Sequence, residues 1–182
     1  EAYFNAENQS AATKLFNSIN QYVSKEQIES WVKDKKNGIT PDRKKAYKIT
    51  SFITFLNHRA IYFRRVGNHD KSLDDLSLAI SLDMERRYFD IYFNIAKAII
   101  SALDKNTRCE YSRNDALNYL FASISITFNI NLTTYEKLLK TIKDDSILKP
   151  YIEDIRYFLN NSHYSIPVFF KSKPIDDKSN NH

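Results

Sequence analysis

Glycine occurs twice and proline four times in these 182 residues, well below the roughly 7% that glycine alone reaches in average usage. So few breakers leave long helical stretches uninterrupted, and an all-α chain is expected. The scarcity also excludes a glycine-rich phosphate loop, since only Gly38 and Gly67 are available. The single cysteine, Cys109, excludes an internal disulfide and a cysteine-based zinc site. It fits a reducing, intracellular compartment, cytoplasmic or nuclear. No apolar run approaches the roughly 18 residues of a membrane span, so a soluble chain is expected. The chain opens on Glu1 rather than Met, without a charged-then-apolar signal segment, as a processed or excised chain does.

Apolar residues make up 42% and aromatics 14% of the chain, enough core material to argue against wholesale disorder. Their spacing organises it. Residues 1–8 read as a frayed lead-in, and Ala11, Leu15, Phe16, Ile19, Tyr22 and Val23 recur at helical intervals. Ser24 with Gln27 makes a capping box for a second helix bearing Ile28, Trp31 and Val32, which stops near Asn37-Gly38. Thr40 is expected to cap the next helix, with Pro41 in its first turn and Asp42 facing its positive end. Nothing breaks that helix before Gly67, so about 25 residues are expected.

Between Phe52 and Met84 the apolar positions are Phe52, Phe55, Leu56, Ala60 and Phe63, then Leu73, Leu76, Ala79, Ile80 and Leu82. This is a helix, a turn at Gly67 and a second helix. A plain amphipathic hairpin shares the periodicity but lacks the small residues Ala60, Ser72 and Ala79 set around a turn glycine. With these, the stretch resembles a tetratricopeptide repeat, a helix–turn–helix unit of about 34 residues. Leu56 stands where the family often has Trp, and Met84 where a Pro ends the repeat. A looser second repeat spans 88–128: one face carries Tyr88, Ile91, Tyr92, Ile95, Ala96, Ile99 and Leu103, and after a polar stretch over 104–112 a helix starts at Asn114-Asp115-Ala116.

The resemblance implies a right-handed stack of antiparallel helical hairpins, about seven or eight helices in all. Residues 9–161 then form one domain: an N-terminal helical pair at 9–38, the main repeat with its long first helix at 40–84, the second repeat at 88–128, and capping helices at 132–161. Leu132-Thr133 is expected to cap the first of the capping pair, and the second holds Pro150 in its opening turns. From 162 the chain is a tail in which Ile166-Pro167-Val168-Phe169-Phe170 is expected to dock extended, with disorder after 171.

In such stacks the first helix of each hairpin lines a groove. The resemblance therefore turns Asn57, Ile61 and Arg64 of one helix and Asp90, Phe93 and Lys97 of the next toward a partner, a mixture suited to a peptide with acidic and apolar anchors. Members of the family that clamp a terminal carboxylate use Lys and Asn at set positions. Here Asn94 matches one such Asn, but Asn57 stands at the Lys position and Ile61 at an Asn position, so an internal segment is the expected ligand.

No catalytic constellation emerges. His58, His69, His163 and His182 are scattered and read as surface or interhelical hydrogen-bonding residues rather than metal ligands. Asp74-Asp75 and Asp144-Asp145 point apart on a helix and read as solvated faces or partners of a helix N-terminal dipole. Cys109 sits in a polar loop. No cofactor, metal or enzymatic activity is expected. The triplets starting at Asn8, Asn131 and Asn160 match the glycosylation pattern, as chance allows in an Asn-rich chain.

The formal net charge of +5 is local. Lys33, Lys35, Lys36, Arg43, Lys44, Lys45 and Lys48 face only Asp34 and Asp42, while the remaining 20 basic residues are balanced by 20 acidic ones. This segment is either a solvated helix end or a patch for an acidic peptide, an anionic surface or nucleic acid. The expected function is thus a non-enzymatic protein–protein interaction module. Nucleic-acid or anionic-surface binding through residues 33–48, and a small assembly or secretion chaperone, stand as alternatives.

Overall fold

The computed structural model describes residues 23–83, 87–105 and 109–161. The expected lead-in, most of the first helix and the tail from residue 162 lie outside the described residues, as does Met84. Among the described residues there are seven α-helices, one 3-10 turn and no strand: α1 Lys25–Lys36, α2 Arg43–Arg65, α3 His69–Leu82, α4 Phe89–Asp104, α5 Arg113–Ile130, α6 Leu132–Asp144, the 3-10 turn Lys149–Tyr151, and α7 Ile152–Asn161. The fold is all-α, and no helix among the described residues is long and apolar enough to cross a membrane.

Local chemistry sets most of the helix ends. At α1 the capping box forms as expected: the Ser24 hydroxyl accepts from the Gln27 N–H while the Gln27 side chain accepts from the Ser24 N–H. Both glycines sit just past a helix in the left-handed region, Gly38 at φ 67° and Gly67 at φ 82°. Each completes a six-to-one and a five-to-two bond pair that closes off the last carbonyls. For α2 these are Asn68 N–H to Phe63 C=O at 2.8 Å and Gly67 N–H to Arg64 C=O at 3.1 Å; for α1, Ile39 N–H to Asp34 C=O and Gly38 N–H to Lys35 C=O.

Three starts shift from the expected residue. Asp42, not Thr40, caps α2, its carboxylate accepting from the Lys45 N–H at 2.8 Å, so Pro41 precedes the helix instead of lying inside it. An Asp two residues further on competes well with Thr as a cap because it also brings a charge to the helix dipole. Ser112 caps α5 in a second capping box with Asp115, one residue ahead of the expected start at Asn114. Asn131 caps α6 in place of Leu132-Thr133, accepting from the Thr134 N–H at 2.8 Å. It is also the C-cap of α5, so one residue joins two helices.

Each helix from α2 to α5 packs on the next in order, and α2 also packs directly on α4. Leu56, Ala60 and Ala79 are fully buried where α2 meets α3. The approach is close enough for the Ser72 hydroxyl of α3 to donate to the Ala60 carbonyl of α2 at 2.8 Å. A buried serine plays a similar part in the following pair, where Ser123 of α5 donates to the Phe89 carbonyl of α4 at 2.8 Å.

The most enclosed element is α4, whose Ile91, Ile95, Ala96, Ala98, Ile99 and Ile100 are wholly shielded from solvent. With α2, α3 and α5 all against it, almost its whole circumference is core, which explains its high apolar content. Asp83, itself 2% exposed, leads into it by accepting from the Arg87 and Tyr88 N–H groups. At the other end, α1 is held by Trp31 edge-on to Phe52 and by the Lys35 ammonium donating to the Ile80 carbonyl at 2.8 Å.

Candidate functional site

The direct contact of α2 with α4 brings together residues more than thirty positions apart in sequence. Along this contact runs a polar seam. The Asn57 side-chain amide donates to the Asp90 carboxylate at 2.6 Å, and the Asn94 amide donates to the Asn57 carbonyl oxygen at 2.9 Å. Asn57 and Asn94 are buried and Asp90 half-buried. Burial pushes the Asp90 carboxyl above its ordinary value; the N–H groups of the first α4 turn and His58 pull it back, and Asp83 adds to the rise.

Two turns along, the seam becomes cationic. The Lys97 ammonium of α4 is bonded to the Asp145 carboxylate at the C-cap of α6. It also lies 5.5 Å from the centre of the Phe93 ring, a cation–π contact. Asp145 is held in place by the N–H groups of Ile147 and Leu148 at 3.0 and 3.3 Å. From α2, Arg64 reaches the same field. Its half-buried guanidinium is pushed below its ordinary pKa by desolvation and the neighbouring Arg65, with Asp145 opposing. Asp145 is thus bonded to Lys97 and acts on Arg64 through its charge alone.

Of the six residues expected to face a partner, Ile61, Arg64, Phe93 and Lys97 are half-buried at this edge. Asn57 is not turned outward: at 3% exposure both ends of its amide are engaged within the seam, and Asp90 is its acceptor. The reason is that α2 is buried against α3 on one side and α4 on the other, so its enclosed arc is wider than a single-partner helix would show. Asn94 completes the seam, and sequence spacing alone gave no sign that it would pair with Asn57.

Two acidic residues read as solvated are also structural. Asp75, 6% exposed, takes a two-pronged bond from Arg59, Nε to Oδ2 at 2.7 Å and one terminal nitrogen to Oδ1 at 2.6 Å. Arg59 in turn lies between the rings of Phe55 and Phe63, at 5.1 and 6.0 Å from their centres. Asp145 is the ion partner described above. Their neighbours Asp74 and Asp144 remain exposed, and Asp74 is pushed up by partial burial and by Asp75 and Asp70.

His69 departs further from expectation. It is 2% exposed, and neither ring nitrogen has a hydrogen-bond partner. Burial, with Lys105 and Arg64 nearby, pushes its pKa down despite Asp70. Cys109 is half-buried in a surface depression of about 350 Å³ whose wall also carries Asp70, Asp74, Glu110 and Tyr111. Among the described residues, no three His, Cys, Asp or Glu side chains are placed to hold a metal ion.

The basic segment divides. Lys35 and Lys45 are tied into the fold, the first to the Ile80 carbonyl and the second to Asp34. Lys33, Lys36, Arg43, Lys44 and Lys48 are exposed. Tyr47 and Ile39 stand among them, 74% and 49% exposed. With the seam and this surface described, comparison adds no relative: no protein-family model, no curated protein and no solved structure matches the chain.

Proposed function

We propose that the chain is a non-enzymatic interaction module, a tetratricopeptide-like stack of helical hairpins that holds an extended segment of a protein partner along the edge shared by α2 and α4. The observation that carries this reading is the direct packing of α2 on α4, two helices with a whole helix between them in sequence. In a stack of hairpins, first helix lies against first helix, and their common edge is the groove. The buried serine-to-carbonyl bond in each of two successive helix pairs supports a repeated unit.

Within that edge the contact set narrows to Ile61, Arg64, Phe93 and Lys97. Asn57 and Asp90 bond to each other and act as the floor that fixes the spacing of the two helices. The ligand that suits this edge has an acidic anchor, which competes with Asp145 for Arg64 and Lys97, and an apolar side chain beside Phe93 and Ile61. Selection of displayed peptides on the full chain is the test. Sequences pairing Asp or Glu with an aliphatic or aromatic residue should be enriched, and Arg64→Glu combined with Phe93→Ala should weaken them by at least about ten-fold. Enrichment of another sequence class, or unchanged affinity in the double variant, rejects the reading.

A further inference from the structure

Outside the seam, the strongest unassigned feature is the surface where α1 hands over to α2. Its two acids are already engaged. Asp34 is bonded to Lys45, which also straps the end of α1 to the start of α2, and Asp42 is occupied in capping α2. Lys33, Lys36, Arg43, Lys44 and Lys48 are left exposed on either side of a six-residue link. On α1, Lys33 and Lys36 are three apart and share a face. On α2, Arg43, Lys44, Tyr47 and Lys48 fall within about 140° of one another at 100° per residue, turned away from the buried arc of Ile49, Phe52 and Ile53.

Between these two groups of cations the link carries Ile39, directly after the left-handed turn at Gly38. A branched aliphatic side chain 49% exposed next to cations, with a tyrosine 74% exposed on the cationic face of α2, gains nothing from water. Nor does this pairing suit nucleic acid. Phosphate backbones ask for cations, but bases ask for a row of stacking rings, and here one ring stands alone beside an aliphatic tip. The arrangement matches the boundary of an anionic bilayer, where lysine and arginine meet headgroups while tyrosine and a short aliphatic side chain sit just below them.

We infer that the α1–α2 corner, through Lys33, Lys36, Arg43, Lys44 and Lys48 around Ile39 and Tyr47, docks the protein peripherally on an anionic lipid surface. The corner would act as a reversible electrostatic anchor.

The test uses the full chain with two kinds of vesicle, phosphatidylcholine alone and phosphatidylcholine mixed with phosphatidylserine, in co-sedimentation across a salt series. Binding to the mixed vesicles only, falling steeply with salt, is expected. Replacing Lys33, Lys36, Arg43, Lys44 and Lys48 together by Gln should lower that affinity by at least about a hundred-fold. Changing Ile39→Ser and Tyr47→Ser should lower it by about ten-fold while leaving the salt dependence in place. Thermal melts of both variants establish that they fold; should the five-fold variant not fold, the double variant and the salt series decide. Equal binding to both vesicles, no binding to either, or undiminished binding by the double variant overturns the inference. So does an oligonucleotide that strips the protein from the vesicles and binds the double variant as tightly as the parent chain, an outcome that would assign the corner to nucleic acid.

Discussion

The two halves of α2 spend their polar residues in opposite ways. From Arg43 to Ser51 its cations point to solvent, and Lys45 alone finds a carboxylate. From Phe52 to Arg65 several polar groups are used inside, although Thr54, His58 and Arg65 stay exposed: Asn57 on Asp90 and Asn94, Arg59 on Asp75, and the Ala60 carbonyl on Ser72. A single continuous helix thus changes character where a second layer of helices begins to cover it. Charge on a helix carries little structural information until its burial is known. The same guanidinium that points to solvent at position 43 ties two helices together at position 59.

The comparison breaks most visibly at Asp75. Asp75→Ala strands Arg59 between two phenylalanine rings without its carboxylate, and should lower unfolding free energy by about 3 kcal/mol in a denaturant titration. Asn57→Ala leaves Asp90 and Asn94 each short of a partner and should lower it by about 2 kcal/mol in the same measurement. At the opposite extreme, neutralising the exposed cations of the first half tests whether that half is structurally silent.

His69 sharpens the contrast through pH. Its folded pKa lies below the ordinary 6.5, so the unfolded chain takes up the proton first as the medium becomes acid. The stability tied to neutral His69 is therefore complete above pH 6.5 and is lost as pH falls through the lowered value. Replacing it by Leu should flatten the fall in melting temperature just below pH 6.5 without changing the melting temperature above neutrality by more than a few degrees. A retained acid-side slope would place the proton uptake elsewhere. The smallest effect is expected from Arg43→Gln with Lys44→Gln, which should stay within about 0.5 kcal/mol. A larger loss would mean that the exposed half of α2 is not silent after all.

What the sequence made legible was local. The Ser24 capping box, the ends at Gly38 and Gly67 and the buried positions Leu56, Ala60 and Ala79 are written in neighbours three or four residues apart, and periodicity reads them directly. Where two nearby residues could both cap, as Thr40 and Asp42, the start moved by two positions. Inward-facing polar residues were not legible, because each is satisfied by a residue far along the chain. Asn57 meets Asp90, Arg59 meets Asp75 and Lys97 meets Asp145, at separations of 33, 16 and 48 residues. An Asp-Asp pair looks the same in sequence whether one member is buried or neither is. The separation of Asp75 from Asp74 is visible only once α2 lies across α3.

The corner at Asn131 leaves the chain no slack. Its backbone is extended, and its side chain starts α6 while its own N–H closes the last turn of α5 on Thr127. Two helices clasped through one residue cannot fray independently, because undoing the first turn of one releases the final turn of the other. Amide protons near Thr127 and Thr134 should therefore exchange in a common opening event, and the segment from Arg113 to Asp144 should behave as one mechanical lever instead of two.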